Sequence, residues 1–250
     1  MTTALYEFPL CEKVRNYLRL EQLFKQLHTA STPEDTYQFL HFFKLLFDIL
    51  ELVERLDLRV DFMKDIDAQE KNLIHWSQHP EIDSSALDKT LQQLQHLLGQ
   101  IKLNKKLGAS IKEDKFIASI RQRFAIPGGA TSFDLPSLFC WMKQAPAIVQ
   151  ADIQRWIQQL GLIDQSVNII MTFLRERGRF HKVLGKNGFY QGNVEDKVEL
   201  VRVKCTTLES YYPVLSGNTY RYGIKFMQLH PKQGTTGAVA EDISFEIARC

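Results

Sequence analysis

Residues 37–56, YQFLHFFKLLFDILELVERL, form a helical pattern in which apolar side chains cover most of the circumference. A helix that is apolar all round has to be buried on more than one side. This segment is therefore either the central helix of a helical bundle or a helix whose second face forms a subunit interface. Both interpretations can hold together, because obligate dimer interfaces resemble a protein core cut in half.

Helical periodicity continues on both sides of this segment. Apolar residues recur every three or four positions in 12–27, and further helices are predicted at 59–76, 84–103, 146–160 and 162–177. Thr32 followed by proline predicts the start of the 37–56 helix, and the capping-box pattern from Ser110 to Glu113 predicts the start of another.

The pattern changes after about Phe180, where alternation of period two replaces the helical period. Strands are predicted at 198–205, 220–228 and 243–247, with a polar loop at 231–240. The extended lead at 6–10 is expected to add a strand. The sequence therefore predicts an α+β fold, with an α-helical bundle domain over 11–179 and a small antiparallel β domain formed by 1–10 and 180–250.

Charge is distributed unevenly along the chain, although its net value is only +2. Residues 1–100 hold 10 basic and 16 acidic side chains, whereas residues 101–186 hold 14 basic and 6 acidic ones. The middle segment is expected either to steer an acidic partner or to fold back onto the acidic first third. There is no apolar run long enough for a membrane span and no secretory signal pattern, and the four cysteines are far apart, which is typical of free thiols in a reducing cytosol.

The basic side chains of the middle segment concentrate around RQRFAIPGGATSFDLPSLFCW, residues 121–141. In the helix that leads into it, Ile111, Ile117, Ile120 and Phe124 are predicted to face inward, and Lys112, Lys115, Ser119 and Arg123 to line the opposite face. The following Pro127-Gly128-Gly129 either offers backbone amides to an anion or is a tight turn.

Two predicted strands alternate apolar and basic side chains. In the first, Tyr220, Tyr222, Ile224 and Phe226 share a face that packs, and Arg221, Gly223 and Lys225 share the other. Such a face is either a docking surface for a peptide or a solvated face whose charges protect an edge. Arg202 and Lys204 alternate in the same way, so a neighbouring strand with that orientation would enlarge the patch.

Catalytic and metal-binding patterns are weak. His75 and His79 are spaced to share a helix face, but the sequence offers no third ligand and no HExxH glutamate. Sequence motifs of serine hydrolases, dinucleotide-binding proteins and P-loop proteins do not occur. We therefore expect a binding protein without metal or cofactor rather than an enzyme.

Four blocks of sequence together resemble one known family. The pattern ExPLxEKxRxxLRLExL is matched at 7–23, HFF at 41–43, RQRxxIPGGxxSFDLP at 121–136 and NGFYQ at 187–191. None of these blocks belongs to a common generic motif, and together they extend over most of the chain. The chain is similar in them to the ZapD family, whose members associate with the bacterial tubulin-like protein FtsZ in cell division.

The resemblance implies a cytoplasmic, non-enzymatic homodimer at the division septum that binds the C-terminal tail of FtsZ and bundles its filaments. A symmetric dimer supplies the two tail sites that bundling requires. We expect no cofactor, no nucleic acid and no membrane among its partners. The expected tail-binding residues are Lys115, Arg121, Arg123, Arg202, Arg221 and Lys225, with Arg55 as a further cation. The alternative is a nucleic-acid-binding protein that uses the basic segment 101–186, although the stacking motif of an RRM and an evident recognition helix are missing from the sequence.

Overall fold

A computed structural model describes residues 3–76, 84–193, 198–206, 211–218, 220–229 and 237–250. The helices in this part of the chain are α1 (Glu12–Thr29), α2 (Thr36–Arg55), α3 (Leu58–Trp76), α4 (Ser84–Leu103), α5 (Ala109–Lys112), α6 (Lys115–Phe124), α7 (Pro136–Trp141) and α8 (Pro146–Glu176). The strands are β1 (Thr3–Pro9), β2 (His181–Gly185), β3 (Phe189–Asn193), β4 (Leu200–Thr206), β5 (Tyr211–Gly217), β6 (Arg221–Gln228) and β7 (Ile243–Arg249). These elements confirm the predicted α+β class.

The chain divides into two compact units. The helical unit is Arg19–Ile170, and the β unit consists of Met1–Leu18 together with Met171–Cys250. The boundaries drawn from the sequence, after residues 10 and 179, follow the change from strand to helix and from helix to strand. The compact units instead change over within α1 and α8, so each of these two helices contributes to both units.

Helix α2 is buried within the helical unit of the single chain. Its buried side chains are Phe42, Phe43, Leu45, Leu46, Phe47, Ile49, Leu50 and Val53. The ring of Phe43 lies 5.6 Å from those of both Trp141 and Trp156, measured between centroids. Aromatic contacts of this kind add to the free energy gained from burial. The remaining face carries mostly polar side chains such as Lys44 and Glu54. Helix α2 is therefore the central helix of the helical unit, and its second face is polar rather than apolar.

Two helices begin later than the sequence patterns predict. Asp35 rather than Thr32 caps α2, since its carboxylate accepts a backbone N–H three residues on at 2.9 Å. Ser110 lies inside the short helix α5, and Asp114 caps α6: its Oδ1 accepts the N–H groups of Phe116 at 2.9 Å and Ile117 at 3.1 Å, both in the first turn of α6. Aspartate is as good an N-cap as serine or threonine, so the residue types alone do not choose between neighbouring candidates.

The predicted pair of helices at 146–160 and 162–177 is wrong, because α8 runs unbroken through Gly161. A glycine inside a helix costs about 1 kcal/mol relative to alanine, which the packing of a long helix readily offsets. Neither α8 nor any other helix in the described ranges combines the length and the apolarity that a membrane span needs.

The β unit contains two antiparallel sheets that share one core. The four-stranded sheet has the order β1-β4-β7-β2, and the three-stranded sheet has the order β3-β6-β5. Pairing of β1 with β4 confirms the predicted N-terminal strand. Both sheets direct alternate side chains into a common cluster, which is formed by Leu10, Val198, Val201, Val203, Cys205, Tyr222, Ile224, Phe226, Val239, Ile243, Phe245 and Ile247. Their other faces therefore point away from each other.

The predicted strands correspond to β4, β6 and β7, whereas β2, β3 and β5 were not predicted. Of the predicted polar loop at 231–240, residues 231–236 lie outside the described residues. Two of these three, β3 and β5, contain glycine or proline inside the strand, and β2 is only five residues long.

Candidate partner-binding surfaces

The seven cations predicted to bind a partner fall into two groups. Carboxylates of the chain hold three of them: Glu51 holds Arg55, Glu54 holds Arg121 and Glu7 holds Arg202. The other four form no ion pair with any described residue, and these are Lys115, Arg123, Arg221 and Lys225. An unpaired cation offers a ligand carboxylate its full interaction, whereas a paired one first has to release its own partner.

Strand β6 has the alternation that the sequence predicts. Tyr222, Ile224 and Phe226 are buried, and Arg221 and Lys225 are exposed. Tyr220, which was predicted to pack with the apolar set, instead precedes the strand and is 78% exposed. The two cations therefore stand on the outer face of the three-stranded sheet, on the same side as Gly223.

Exposed apolar side chains flank Lys225 on this outer face. Its cross-strand neighbours are Phe189 on β3 and Val214 on β5. Phe189 is 48% exposed and Val214 is 45% exposed, and Tyr212 lies further along β5 on the same face. Apolar residues next to an unpaired cation on a solvated sheet face are typical of a surface that another molecule covers.

Gly223 lies at the centre of a shallow groove of about 320 Å³ on the same face. The groove is lined by residues 216–218, 221–223, Phe189 and Gln191. A Cβ atom at position 223 would lie 3.1 Å from the Phe189 ring, which is tighter than an ordinary contact. The glycine therefore lets the ring lie against β6, and Arg221 borders the space that remains. We refer to Phe189, Val214, Arg221, Gly223 and Lys225 with this groove as the sheet face.

Arg202 does not extend the sheet face. It lies with Lys204 on β4, in the other sheet, so β4 is not a strand next to β6 that could enlarge the patch. Its Nε atom lies 2.9 Å from Glu7 Oε1, an ionic contact, and Arg175 donates two hydrogen bonds of 2.8 Å to the same carboxylate. The Phe180 ring covers both β4 cations, with Lys204 Nζ 3.8 Å from its centroid. Arg202 is thus held by the β unit itself.

In the helical unit, one carboxylate holds two cations. Arg121 donates hydrogen bonds of 2.5 and 3.1 Å to the two oxygens of Glu54, and Lys112 Nζ lies 3.1 Å from Oε1. The hydrogen bond from Arg121 lowers the pKa of Glu54, and burial opposes that shift without cancelling it. Lys115 and Arg123, on the same helix as Arg121, remain exposed.

A groove of about 570 Å³ lies between α2 and α6. Its apolar wall includes Phe47, Leu50, Ile117 and Phe124, and its basic side chains are Lys44, Lys112 and Arg121. Asp48 and Glu51 also line it. This α2–α6 groove therefore combines an apolar wall with cations that the chain's own carboxylates neutralise.

Asp114 fixes α6 against α8. In addition to capping the helix, its Oδ2 accepts hydrogen bonds from the Trp156 indole at 3.0 Å and from Arg155 at 2.9 Å. Burial alone would raise the pKa of Asp114, but the hydrogen bonds from Trp156, from two backbone amides and from Arg155 together lower it. The ionised carboxylate therefore determines where the cations of α6 stand within the helical unit.

The turn that follows α6 is a scaffold rather than an anion site. Gly128 has a φ of 74°, and the N–H of Gly129 donates to the carbonyl of Ile126 at 2.8 Å. A Cβ atom at position 129 would lie 2.4 Å from the carbonyl oxygen of Arg123, so only glycine fits there. Because α7 begins only at Pro136, these amides do not open a helix.

The metal-site hypothesis finds no support in the described ranges. They contain no group of three or more histidine, cysteine, aspartate or glutamate side chains that could hold a metal ion. His75 lies in α3, and His79 lies outside the described residues.

Sequence comparison places the chain among proteins of one kind. A family model described as "ZapD: Cell division protein" matches residues 18–225. The chain is similar to a cell division protein ZapD from Idiomarina loihiensis, with 37% identity over 98% of this chain and 96% of the relative. It is also similar to ZapD from Serratia proteamaculans, with 35% identity over 99% and 98%, and to ZapD from Vibrio cholerae, with 35% identity over the whole of both chains. The chain therefore belongs to the ZapD family of cell division proteins.

Proposed function

We propose that this cell division protein binds the C-terminal tail of FtsZ and bundles FtsZ filaments in the cytoplasm at the division septum, acting as a symmetric homodimer without a cofactor or catalytic activity. Membership of the ZapD family supports the role in cell division. The sheet face supports an acidic peptide as the ligand.

One observation carries the proposal: Arg221 and Lys225 have no described ion-pair partner and stand on either side of the groove at Gly223, beside exposed apolar side chains. The FtsZ tail, as the family resemblance implies, is a short segment with both acidic and apolar residues. An arginine fork binds a carboxylate bidentately, and exposed Phe189 and Val214 supply apolar contact. Charge would therefore steer the tail to the sheet face, and apolar contact would hold it there.

The helical unit carries the other cations that the sequence predicts to bind the tail. Lys115 and Arg123 are exposed on α6, whereas Arg121 on the same helix and Arg55 on α2 each have a carboxylate partner. We propose that Lys115 and Arg123 help to steer the tail towards the protein and that the ion-paired Arg55 and Arg121 contribute less. In a dimer each surface occurs twice, and linked sites gain avidity without any new contact.

Filament co-pelleting tests the proposal directly. Arg221→Asp and Lys225→Asp should each reduce the amount of protein that pellets with FtsZ filaments, and FtsZ without its tail should pellet none. Lys182→Asp is the matched control, because Lys182 is an exposed strand lysine of the other sheet. Undiminished pelleting with either charge reversal, or with tail-less FtsZ, would contradict the tail site.

Retention of the same variants on nucleic acid distinguishes the tail-binding proposal from the nucleic-acid alternative. Within the basic segment, Arg121, Arg155 and Arg175 are all bound to carboxylates, which reduces the positive charge available to phosphates. We expect no retention on mixed-sequence DNA or RNA at about 150 mM salt, where phosphate contacts alone are already weakened. Retention there that Arg221→Asp leaves unchanged would favour the alternative.

A further inference from the structure

We propose that the groove at Gly223 is a carboxylate site: the side-chain amides of Gln191 and Asn218 donate hydrogen bonds to the aspartate or glutamate side chain that pairs with Arg221. These two amides are thus specificity-determining residues of the sheet face. The inference rests on the proposed function, because it takes the FtsZ tail as the ligand. It adds the groups that distinguish an acidic residue of the ligand from the corresponding neutral amide.

The three-stranded sheet is free of acidic residues. Strands β3, β5 and β6 contain no aspartate or glutamate. In the other sheet, by contrast, β1 carries Glu7, which holds Arg202. A cation on the three-stranded sheet therefore has no acidic neighbour in its own strand or in an adjacent one, and a ligand carboxylate can supply the missing partner.

The register of this sheet places hydrogen-bond donors around Gly223. Its cross-strand neighbours are Gln191 on β3 and Ser216 on β5, with Cα atoms about 5 Å away on either side. Arg221 lies two residues, or about 7 Å, along β6, and Asn218 lines the same groove. Because glycine has no side chain, the position between these donors is left to the ligand. A groove of about 320 Å³ is at the small end of the range for ligand sites, which suits a single side chain.

The backbone fixes the orientation of the Asn218 amide. Its Oδ1 accepts the N–H groups of Tyr220 at 2.9 Å and of Arg221 at 3.2 Å. The backbone N–H of Asn218 in turn donates to the carbonyl of Arg221 at 2.9 Å. Since the oxygen of the amide is engaged, its Nδ2 is the group that remains for a ligand, and Nδ2 only donates. A donor that is already oriented loses little conformational entropy on binding.

The chemistry of these groups selects a carboxylate. Gln191, Ser216, Asn218 and Arg221 can all donate hydrogen bonds, and none of them carries a negative charge. A ligand carboxylate accepts from such donors, whereas a ligand amide brings N–H groups of its own, and hydrogen bonds to a charged group are about twice as strong as neutral ones. An apolar side chain in the groove would leave the donors without partners. The groove therefore binds an acidic residue in preference to its neutral counterpart.

Fluorescence anisotropy with the full chain tests this inference. One labelled probe is the FtsZ tail peptide, and the other is the same peptide with every aspartate and glutamate replaced by asparagine and glutamine. Gln191→Met keeps the length of the side chain without its amide, and Asn218→Ser keeps a hydroxyl that can accept the N–H groups of the turn. Gln228→Met is the matched control, because Gln228 is an exposed glutamine of β6 that does not line the groove.

Gln191→Met and Asn218→Ser should each weaken binding of the acidic peptide about five- to tenfold and change that of the amide peptide less than twofold. Gln228→Met should change neither. A merely structural role of the two residues would lower both affinities together. Equal losses for the two peptides, or no loss for the acidic one, would therefore overturn the inference.

Nuclear magnetic resonance of the unaltered protein provides a second measurement. The side-chain amide signals of Gln191 and Asn218 should shift when the acidic peptide is added and stay in place with the amide peptide. Signals that the acidic peptide leaves unshifted would contradict the carboxylate site.

A third probe, a synthetic peptide of alternating glutamate and valine, separates this inference from the proposed function. If the tail peptide does not bind but the synthetic peptide binds with the expected ranking of variants, the proposed function fails and the carboxylate site remains. If the tail peptide binds equally well to every variant, the carboxylate site fails and the proposed function remains. Binding of neither peptide would overturn both.

Discussion

The sheet face and the α2–α6 groove use similar residues in opposite electrostatic states. Arg221 and Lys225 have no described carboxylate partner, whereas Arg121 and Lys112 share Glu54. Both surfaces place apolar side chains beside their cations. The difference shows that the number of basic residues on a surface does not determine its attraction for an acidic partner; the carboxylates that already bind those residues do.

The largest effect should come from reversing both free cations of the sheet face. Arg221→Asp combined with Lys225→Asp removes two charge-assisted contacts of about 1.5–3 kcal/mol each, so the affinity for the FtsZ tail peptide should fall about a hundredfold or more. Anisotropy titration measures this loss, with the double reversal of two exposed lysines outside the sheet face, Lys182→Asp and Lys143→Asp, as the control. A loss of less than about fivefold would remove the distinction between the two surfaces.

Removal of the Asp114 carboxylate, which holds α6 in place, should lower the stability of the fold rather than change binding at the sheet face. Asp114→Ala removes the α6 cap and the partner of Trp156 and Arg155, and should lower the free energy of unfolding by about 2 kcal/mol. Asp35→Ala is the matched control, since it removes a cap of α2 and should cost about 1 kcal/mol. Urea unfolding measures both, and an Asp114 variant no less stable than the Asp35 variant would contradict the assignment.

The same carboxylate predicts the direction of a pH effect. Because the folded state lowers the pKa of Asp114, its stabilising contribution is complete above the unfolded value of about 3.9 and disappears as the pH falls through the lower folded value. The stability difference between wild type and Asp114→Ala should therefore be constant near neutral pH and shrink from about pH 5 downward. A stability difference that grows on acidification would show that the folded state does not lower the pKa of Asp114.

A smaller effect should follow from filling the groove of the sheet face. Gly223→Val would press on the Phe189 ring and occupy space beside Arg221, so tail affinity should fall about fivefold, or about 1 kcal/mol. Gly99→Ala is the control, since no other atom lies within 4 Å of the added methyl group and alanine favours the helix by about 0.5–1 kcal/mol. Unchanged affinity in the Gly223 variant would mean that the ligand does not enter the groove.

The smallest effect belongs to an exposed pair on α2. Glu51→Gln breaks the ion pair with Arg55, one turn along the helix, and should change the free energy of unfolding by less than about 0.5 kcal/mol. Thermal unfolding would measure it. A larger change would mean that Arg55 has a structural role beyond this pair.

The sequence predicted correctly those features of the fold that depend on the local spacing of apolar and polar side chains. The alternation of β6, the burial of α2 and the pairing of an N-terminal strand all depend on local patterns of side chains, and the structure has all three. The partners of the cations depend instead on contacts between residues far apart. Glu54 and Arg121 are separated by 67 positions, and no local pattern joins them.

The neighbours of Lys225 were missed for a related reason. Phe189 and Val214 lie on short strands interrupted by glycine and proline, so neither strand has a clear alternation to count. The register of β3 and β5 against β6 places both side chains opposite Lys225. The family blocks suggest the partner that we propose, and the structure distinguishes the cations without a described ion-pair partner from the paired ones.

The pairing of β1 with β4 has a consequence for synthesis on the ribosome. Residues 3–9 form their ladder with residues 200–206, and β7 must then join β4 on its other side. At about 5–20 residues per second, β1 waits roughly 10–40 s for its partner while the whole helical unit is translated. The nascent chain therefore carries an unpaired strand for most of its translation, and the β unit can close only when nearly all of it has left the exit tunnel.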